Sequence, residues 1–91
     1  MNQSVIFNEL VRWVDGLDVV EFTAQQQGNL IRCQVSRRYL QQFSAPKLVG
    51  ADDTIEVFEH QRFGLEEMAE ALITEEAFDS QGNICTSSDL I

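Results

Sequence analysis

Arg62 stands four positions after Phe58 and three before Leu65, so on a helix its stem shares one apolar stripe with both. A guanidinium in that setting either carries its head to the edge of the core or meets a buried carboxylate. Asp18, Glu59 and Asp89 are the candidate partners, and the sequence does not choose among them. The planar fork of N–H donors also suits a bound carboxylate or phosphate. Arg62 therefore has two readings, a structural ion pair or the centre of a small-anion site.

Arg32, Arg37 and Arg38 form the one basic cluster, with Tyr39 and Phe43 close by in sequence. Arginines interleaved with aromatic rings are what a surface for single-stranded nucleic acid needs. The same cluster could instead dock the acidic face of a second copy, giving a homodimer. His60, the only histidine, sits beside Glu59 and reads as a solvated side chain. A metal site would need further ligands, and a triad a placed nucleophile. The glutamates from Glu56 to Glu76 match neither a calcium-loop pattern nor a Glu-x-x-His ligand pair, and read as a solvated helix face. Trp13, the sole tryptophan, is expected to cap the core from a connecting segment rather than stand out as an anchor. Cys33 and Cys85 lie 52 positions apart, which makes neither a metal-binding spacing nor a redox pair. They read as reduced thiols acting as small hydrophobes. With no glycine-rich phosphate loop, nucleophile elbow or zinc spacing, the expectation is no catalytic activity, no cofactor and no metal.

The elements that would position these residues follow from periodicity. Ser4–Phe7 is a short apolar run with strand character, and Asn8–Leu17, with its Asp15-Gly16 pair, reads as a connection containing a turn. Val20, Phe22 and Ala24 then alternate with polar residues, as do Ile31, Cys33 and Val35 after Gln27-Gly28-Asn29. Two period-two runs around a turn rich in Gly and Asn predict a β-hairpin. Ser36 is placed to cap a short helix over Arg37–Phe43, and Pro46 and Gly50 mark the loop that follows. Asp53 with Glu56 has the form of a capping box for a long helix. Ile55, Phe58, Leu65, Met68, Ala69, Leu72 and Ile73 form its apolar stripe, and Gly64 is the residue at which it would kink or split. Asp79 to Asn83 reads as a turn and Ile84–Ser87 as a last strand. The order is β-β-β-α-α-β: an α+β fold with a small, mostly antiparallel sheet and two helices on one face.

Ninety-one residues with 44% hydrophobic content make one domain with a core. Residues 1–47 carry five basic side chains against four acidic ones, while residues 48–91 carry eleven acidic ones against Arg62 alone. The formal net charge of −9 opposes binding to a phosphate backbone or an anionic membrane surface. No apolar stretch is long enough to span a bilayer, and the N-terminal residues lack the basic and apolar regions of a secretory leader. The expected compartment is the cytoplasm.

One set of residues resembles a known family. Asp18-Val19-Val20-x-Phe22, Gly28, Ile31-x-Cys33-x-Val35-Ser36 and Leu40-x-x-Phe43 carry the first half of the likeness. Phe58-x-x-x-Arg62, Leu65-Glu66, Ala69, Gly82-x-Ile84 and Ser88-Asp89-Leu90 continue it over nearly the whole chain. The pattern is similar to that of a small bacterial family catalogued as domain of unknown function 1488. The resemblance implies the fold and supplies no catalytic or binding residue; a label of transcriptional regulator on some members names no site. The leading expectation is a cytoplasmic interaction module without catalytic activity, acting through a protein partner or a second copy. The alternatives are a regulator contacting nucleic acid through Arg32, Arg37 and Arg38, and an anion binder centred on Arg62. The residues singled out for an interaction or anion site are Arg62, Arg32, Arg37, Arg38, Trp13, Asp18 and Asp89.

Overall fold

The two alternating runs form the hairpin their periodicity predicts, β2 (Val19–Gln26) and β3 (Asn29–Ser36). The structure, a computed structural model, describes residues 5–86. Gln27 and Gly28 connect the strands with φ of 55° and 83°, the positive values of a primed two-residue turn that matches strand twist. Val20, Phe22, Ala24, Ile31, Cys33 and Val35 all point to one face and are buried there.

The first strand, β1, runs from Val5 to Val14, well past the short strand expected at Ser4–Phe7; Ser4 itself lies outside the described residues. Most of the supposed connection, Trp13 included, is therefore strand. The reason is a bulge. Phe7 pairs with Ala24 and Val11 with Phe22, so Asn8, Glu9 and Leu10 together stand against Thr23. The bulge adds two residues and so keeps the phase of alternation: Val5, Phe7, Val11 and Trp13 pack on the core in one period-two frame, which the polar Asn8 and Glu9 interrupt in the sequence. The Asp15-Gly16 turn is as expected: the amides of Leu17 and Asp18 donate to the Val14 carbonyl at 3.1 and 2.9 Å.

Ser36 caps the next helix, its Oγ accepting from the Tyr39 amide at 2.9 Å. That helix, α1 (Arg37–Leu40), tightens into a 3-10 turn over Gln41–Phe43. The long helix is two helices, α2 (Ala51–His60) and α3 (Arg62–Thr74). The expected capping box is not used: α2 starts after Gly50, so Asp53 lies inside its first turn, where its charge complements the helix dipole. Thr54 Oγ1 donates to the Gly50 carbonyl at 2.7 Å. The division falls at Gln61, with φ −105° and ψ 8°, and not at Gly64. Phe58, Leu65, Ala69 and Ile73 are buried, Ile55 and Leu72 are half-buried, and Met68 is 38% exposed.

A short β4 (Ile84–Cys85) lies parallel to β3, and the Thr86 amide and hydroxyl both donate to the Gln34 carbonyl at 2.9 Å. Ser87, the expected end of this strand, lies outside the described residues. The sheet order is β1-β2-β3-β4, antiparallel except at its last pair. One core holds the inner strand residues together with Leu40, Leu48, Phe58, Leu65, Ala69, Ile73 and Ile84, so the helices cover one face of the sheet. Phe22 is its centre, with ring centroids 6.1 Å from Phe7 and 5.0 Å from Phe58. The α+β class and the mostly antiparallel sheet match expectation; among the described residues there are three α-helices instead of two. Among the described residues no helix is long and apolar enough to cross a membrane.

Gly64 is exposed inside α3, and a Cβ there would meet nothing within 4 Å. Gly64→Ala is expected to stabilise the fold by about 0.5–1 kcal/mol, read as a higher urea midpoint at an unchanged m-value.

Candidate functional site

Arg62 begins α3 directly after the break, and its side chain is 19% exposed. Its Nε donates to Glu66 at 2.8 Å, and Nη1 donates to Glu59 and to the Glu9 carbonyl at 3.2 and 3.0 Å. Nη2 donates to the Asn8 carbonyl. The guanidinium carbon lies 5.6 Å from the centroid of the Phe58 ring. Desolvation opposes the charge, but the bonds to Glu66 and Glu59 outweigh it and the pKa is raised. Arg62 thus spans from the helix junction to the bulge of β1, satisfying two carbonyls that the bulge withdraws from the ladder. Of its sequence-based partners, Glu59 is in contact. Asp18 is engaged elsewhere, and Asp89 lies outside the described residues. Glu66, four residues on, is the partner the sequence reading missed, although i,i+4 spacing signals it.

The face of the sheet away from the helices holds a second cluster. Arg12, Glu21 and Gln34 are aligned across β1, β2 and β3. Glu21 is only 7% exposed, yet it lies beneath Arg12 and Arg32, which are 67% and 57% exposed. Its carboxylate accepts from Arg12 Nε at 3.2 Å and Gln34 Nε2 at 3.4 Å, and Arg32 Nε lies 3.7 Å away. Asn8 Nδ2 donates to Thr23 Oγ1 at 2.7 Å along the same face. A shallow groove of about 400 Å³ runs over this cluster between Leu10 and Leu30. Leu10 is 83% and Leu30 53% exposed, and Ile6, in register with Leu30 across Gln25 of β2, is 61% exposed. Arg12, Glu21, Leu10 and Leu30 were not singled out from sequence. The adjacent apolar pair Leu30-Ile31 was the available signal, since a strand sends neighbours to opposite faces.

The basic cluster is divided. Arg32 belongs to this outer face, whereas Arg37 pairs with Asp18, Nε lying 3.0 Å from both carboxylate oxygens and Nη2 2.8 Å from Oδ2. Hydrogen bonding to Asp18, then its negative charge, raises the Arg37 pKa. Arg38 is exposed beside Arg37 and lines a cavity with Lys47. Tyr39 and Phe43 pack edge to face at 5.8 Å.

The remaining residues are placed as follows. Trp13 is half-buried against the core, with its indole N–H donating to Asp15 at 3.2 Å. His60 is exposed at the end of α2. Glu56, Glu59, Glu67, Glu70, Glu75 and Glu76 are exposed as well, while Glu66 is drawn to Arg62. Among the described residues, no three His, Cys, Asp or Glu side chains gather as metal ligands would. Burial, then the nearby charges of Glu21 and Glu66, push the Cys33 thiol up to about 12, so it stays protonated and is a poor nucleophile at neutral pH. Cys85 is raised too, by desolvation and by Asp79.

The family model described as "Protein of unknown function (DUF1488)" matches residues 5–85. The chain belongs to this family. A crystal structure of a DUF1488-family protein of unknown function from Shewanella loihica PV-4 shares 45% sequence identity with it at a TM-score of 0.87, with 93% of each chain covered. No curated protein matches. DUF1488 membership thus accounts for the fold and leaves the activity to be argued from the molecule.

Replacing Arg62 by Met keeps the apolar stem and leaves two carbonyls and two carboxylates without their donor. A loss of about 2–3 kcal/mol is expected by urea denaturation. Amide exchange should accelerate most around Asn8–Val11. A loss under about 0.5 kcal/mol, with a ligand-induced rise in melting temperature present in wild type alone, would favour the anion-site reading instead.

Proposed function

We propose that this chain is a small cytoplasmic protein-interaction module without catalytic activity, and that its contact surface is the helix-free face of the sheet. The observation that carries this reading is the exposure of Ile6, Leu10 and Leu30 on one side of the sheet around the Arg12–Glu21–Arg32 cluster. Apolar side chains grouped with arginines are what protein interfaces favour at their centres. Two guanidiniums share one carboxylate, so the groove has N–H donors in surplus and a net positive charge within an acidic chain. The partner that fits is a segment of another protein presenting apolar side chains beside a carboxylate. The buried Glu21 holds both arginines over the groove before anything binds, which lowers the ordering cost of association.

The two alternatives draw less support. Nucleic-acid contact through Arg32, Arg37 and Arg38 would need one surface, but Arg32 is held by Glu21 and Arg37 by Asp18. An anion at Arg62 would compete with the carboxylates of Glu59 and Glu66 and the carbonyls of Asn8 and Glu9.

Leu10→Asp/Leu30→Asp alters only exposed side chains, so the melting temperature should move little. A partner captured by the wild-type chain from its own cells, then purified, should bind this variant at least about tenfold more weakly by calorimetry. Full affinity in the variant would overturn the assignment of the face. Recovery of the chain alone, dimeric by light scattering, would overturn the reading of a separate partner and give the face to a second copy.

A further inference from the structure

We infer that the corner between α1 and the loop before α2 is a binding site for a small phosphate monoester. Arg37, Arg38 and Lys47, three of the six Lys and Arg residues in the chain, line one cavity of about 430 Å³ with Gln41 and Ala45. Asp18 neutralises Arg37 through the close pair at 2.8 Å. Arg38 and Lys47 are exposed, and no carboxylate among the described residues pairs with either. The corner therefore carries two uncompensated positive charges, which match a phosphoryl dianion and exceed what one carboxylate ligand would neutralise. A guanidinium fork and a compact ammonium are complementary means of holding such a group.

The loop that brings Lys47 to this corner is fastened on both sides of it. Gln41 Nε2 donates to the carbonyls of Ser44 and Pro46 at 3.1 and 2.9 Å, and Gln41 Oε1 accepts from the Leu48 amide at 2.8 Å. Arg37 Nη1 donates to the Leu48 carbonyl at 3.3 Å, and the Leu48 side chain is buried. One glutamine thus spans the loop as a brace, and the lysine backbone needs no ordering when a ligand arrives. Gln41 is a positioning residue here, because its polar atoms are committed to the loop.

The charge around the corner selects for a small ligand. Lys47 also borders the neighbouring cavity, whose other side carries Asp53 and Glu56. A longer polyanion leaving the corner in that direction would meet those carboxylates and the field of a chain with net charge −9. A single phosphoryl group seated at Arg38 and Lys47 does not extend to those carboxylates.

The test is an amide-resolved NMR titration with inorganic phosphate, phosphoserine and adenosine 5′-monophosphate, against sodium chloride at matched ionic strength. The expected result is saturable shifts at Arg38, Gln41 and Lys47, with one of the two esters binding more tightly than inorganic phosphate. Arg38→Ala/Lys47→Ala, both exposed positions, should weaken binding at least about tenfold. Gln41→Leu should weaken it severalfold with both cations still present, and Arg12→Ala should leave it unchanged. Shifts that do not saturate, or that chloride reproduces, would overturn the site, as would full affinity in the double variant. Inorganic phosphate binding more tightly than both esters would overturn the ester assignment. A single-stranded oligonucleotide binding more tightly than the monophosphate, and failing with the double variant, would overturn the small-ligand assignment in favour of nucleic acid.

Discussion

The guanidinium of Arg62 ties the break between α2 and α3 to the bulge of β1. The bulge withdraws the carbonyls of Asn8 and Glu9 from strand pairing, and unpaired carbonyls at the rim of a core need a donor. Arg62 supplies it from the first residue of α3, with Glu59 and Glu66 neutralising the charge. Phe58 touches both the guanidinium, 5.6 Å from its ring centroid, and the tilted Phe22 ring, 5.0 Å between centroids, so the ion cluster and the aromatic centre of the core are joined through one side chain. Neither the bulge nor the helix break stands by itself; each places groups that the other satisfies.

That constraint has a consequence on the opposite face. The residues the bulge adds include Leu10, which stands exposed over the sheet beside Leu30. The same face buries Glu21 beneath two arginines, although an antiparallel sheet of this size could leave its outer side uniformly polar. The helical side is closed by a continuous apolar core, while the outer side combines apolar, cationic and buried anionic groups. The second basic feature, at Arg38 and Lys47, is separated from the first by the pairing of Arg37 with Asp18. The six Lys and Arg residues thus meet different kinds of partner: backbone carbonyls and two carboxylates at Arg62, a buried carboxylate at Arg12 and Arg32, Asp18 at Arg37, and solvent at Arg38 and Lys47.

Legibility in the sequence followed the range of the interactions. The β2–β3 hairpin was readable because its signals are local: two alternating runs and a Gly-containing turn. Ser36 as a cap and the stripe through Phe58, Leu65, Ala69 and Ile73 were readable for the same reason. The length of β1 was not, because the bulge places the polar Asn8 and Glu9 between Phe7 and Val11 and so interrupts the apolar alternation. The break at Gln61 was attributed to Gly64, since glycine weakens helices by propensity, whereas the observed break stands where Arg62 turns to β1. Asp53 and Glu56 have the form of a cap, yet the helix begins earlier, at Ala51. On the side of the candidate site, Arg62 was singled out with one of its actual partners, and Arg32, Arg37 and Arg38 were grouped by proximity in sequence that the sheet then separates.

The sequence by itself determined the α+β class, the central hairpin, the apolar stripes and the acidic field, because hydrophobic period, turn chemistry and net charge are properties of neighbouring residues or of plain sums. Only the tertiary structure decided that Arg12 and Arg32 meet over a buried Glu21, that Arg37 meets Asp18, and that Leu10 and Leu30 share an open groove. Those outcomes depend on strand register and on the bulge, where a shift of one residue sends every side chain to the other face of the sheet, and no local pattern in the chain records that choice.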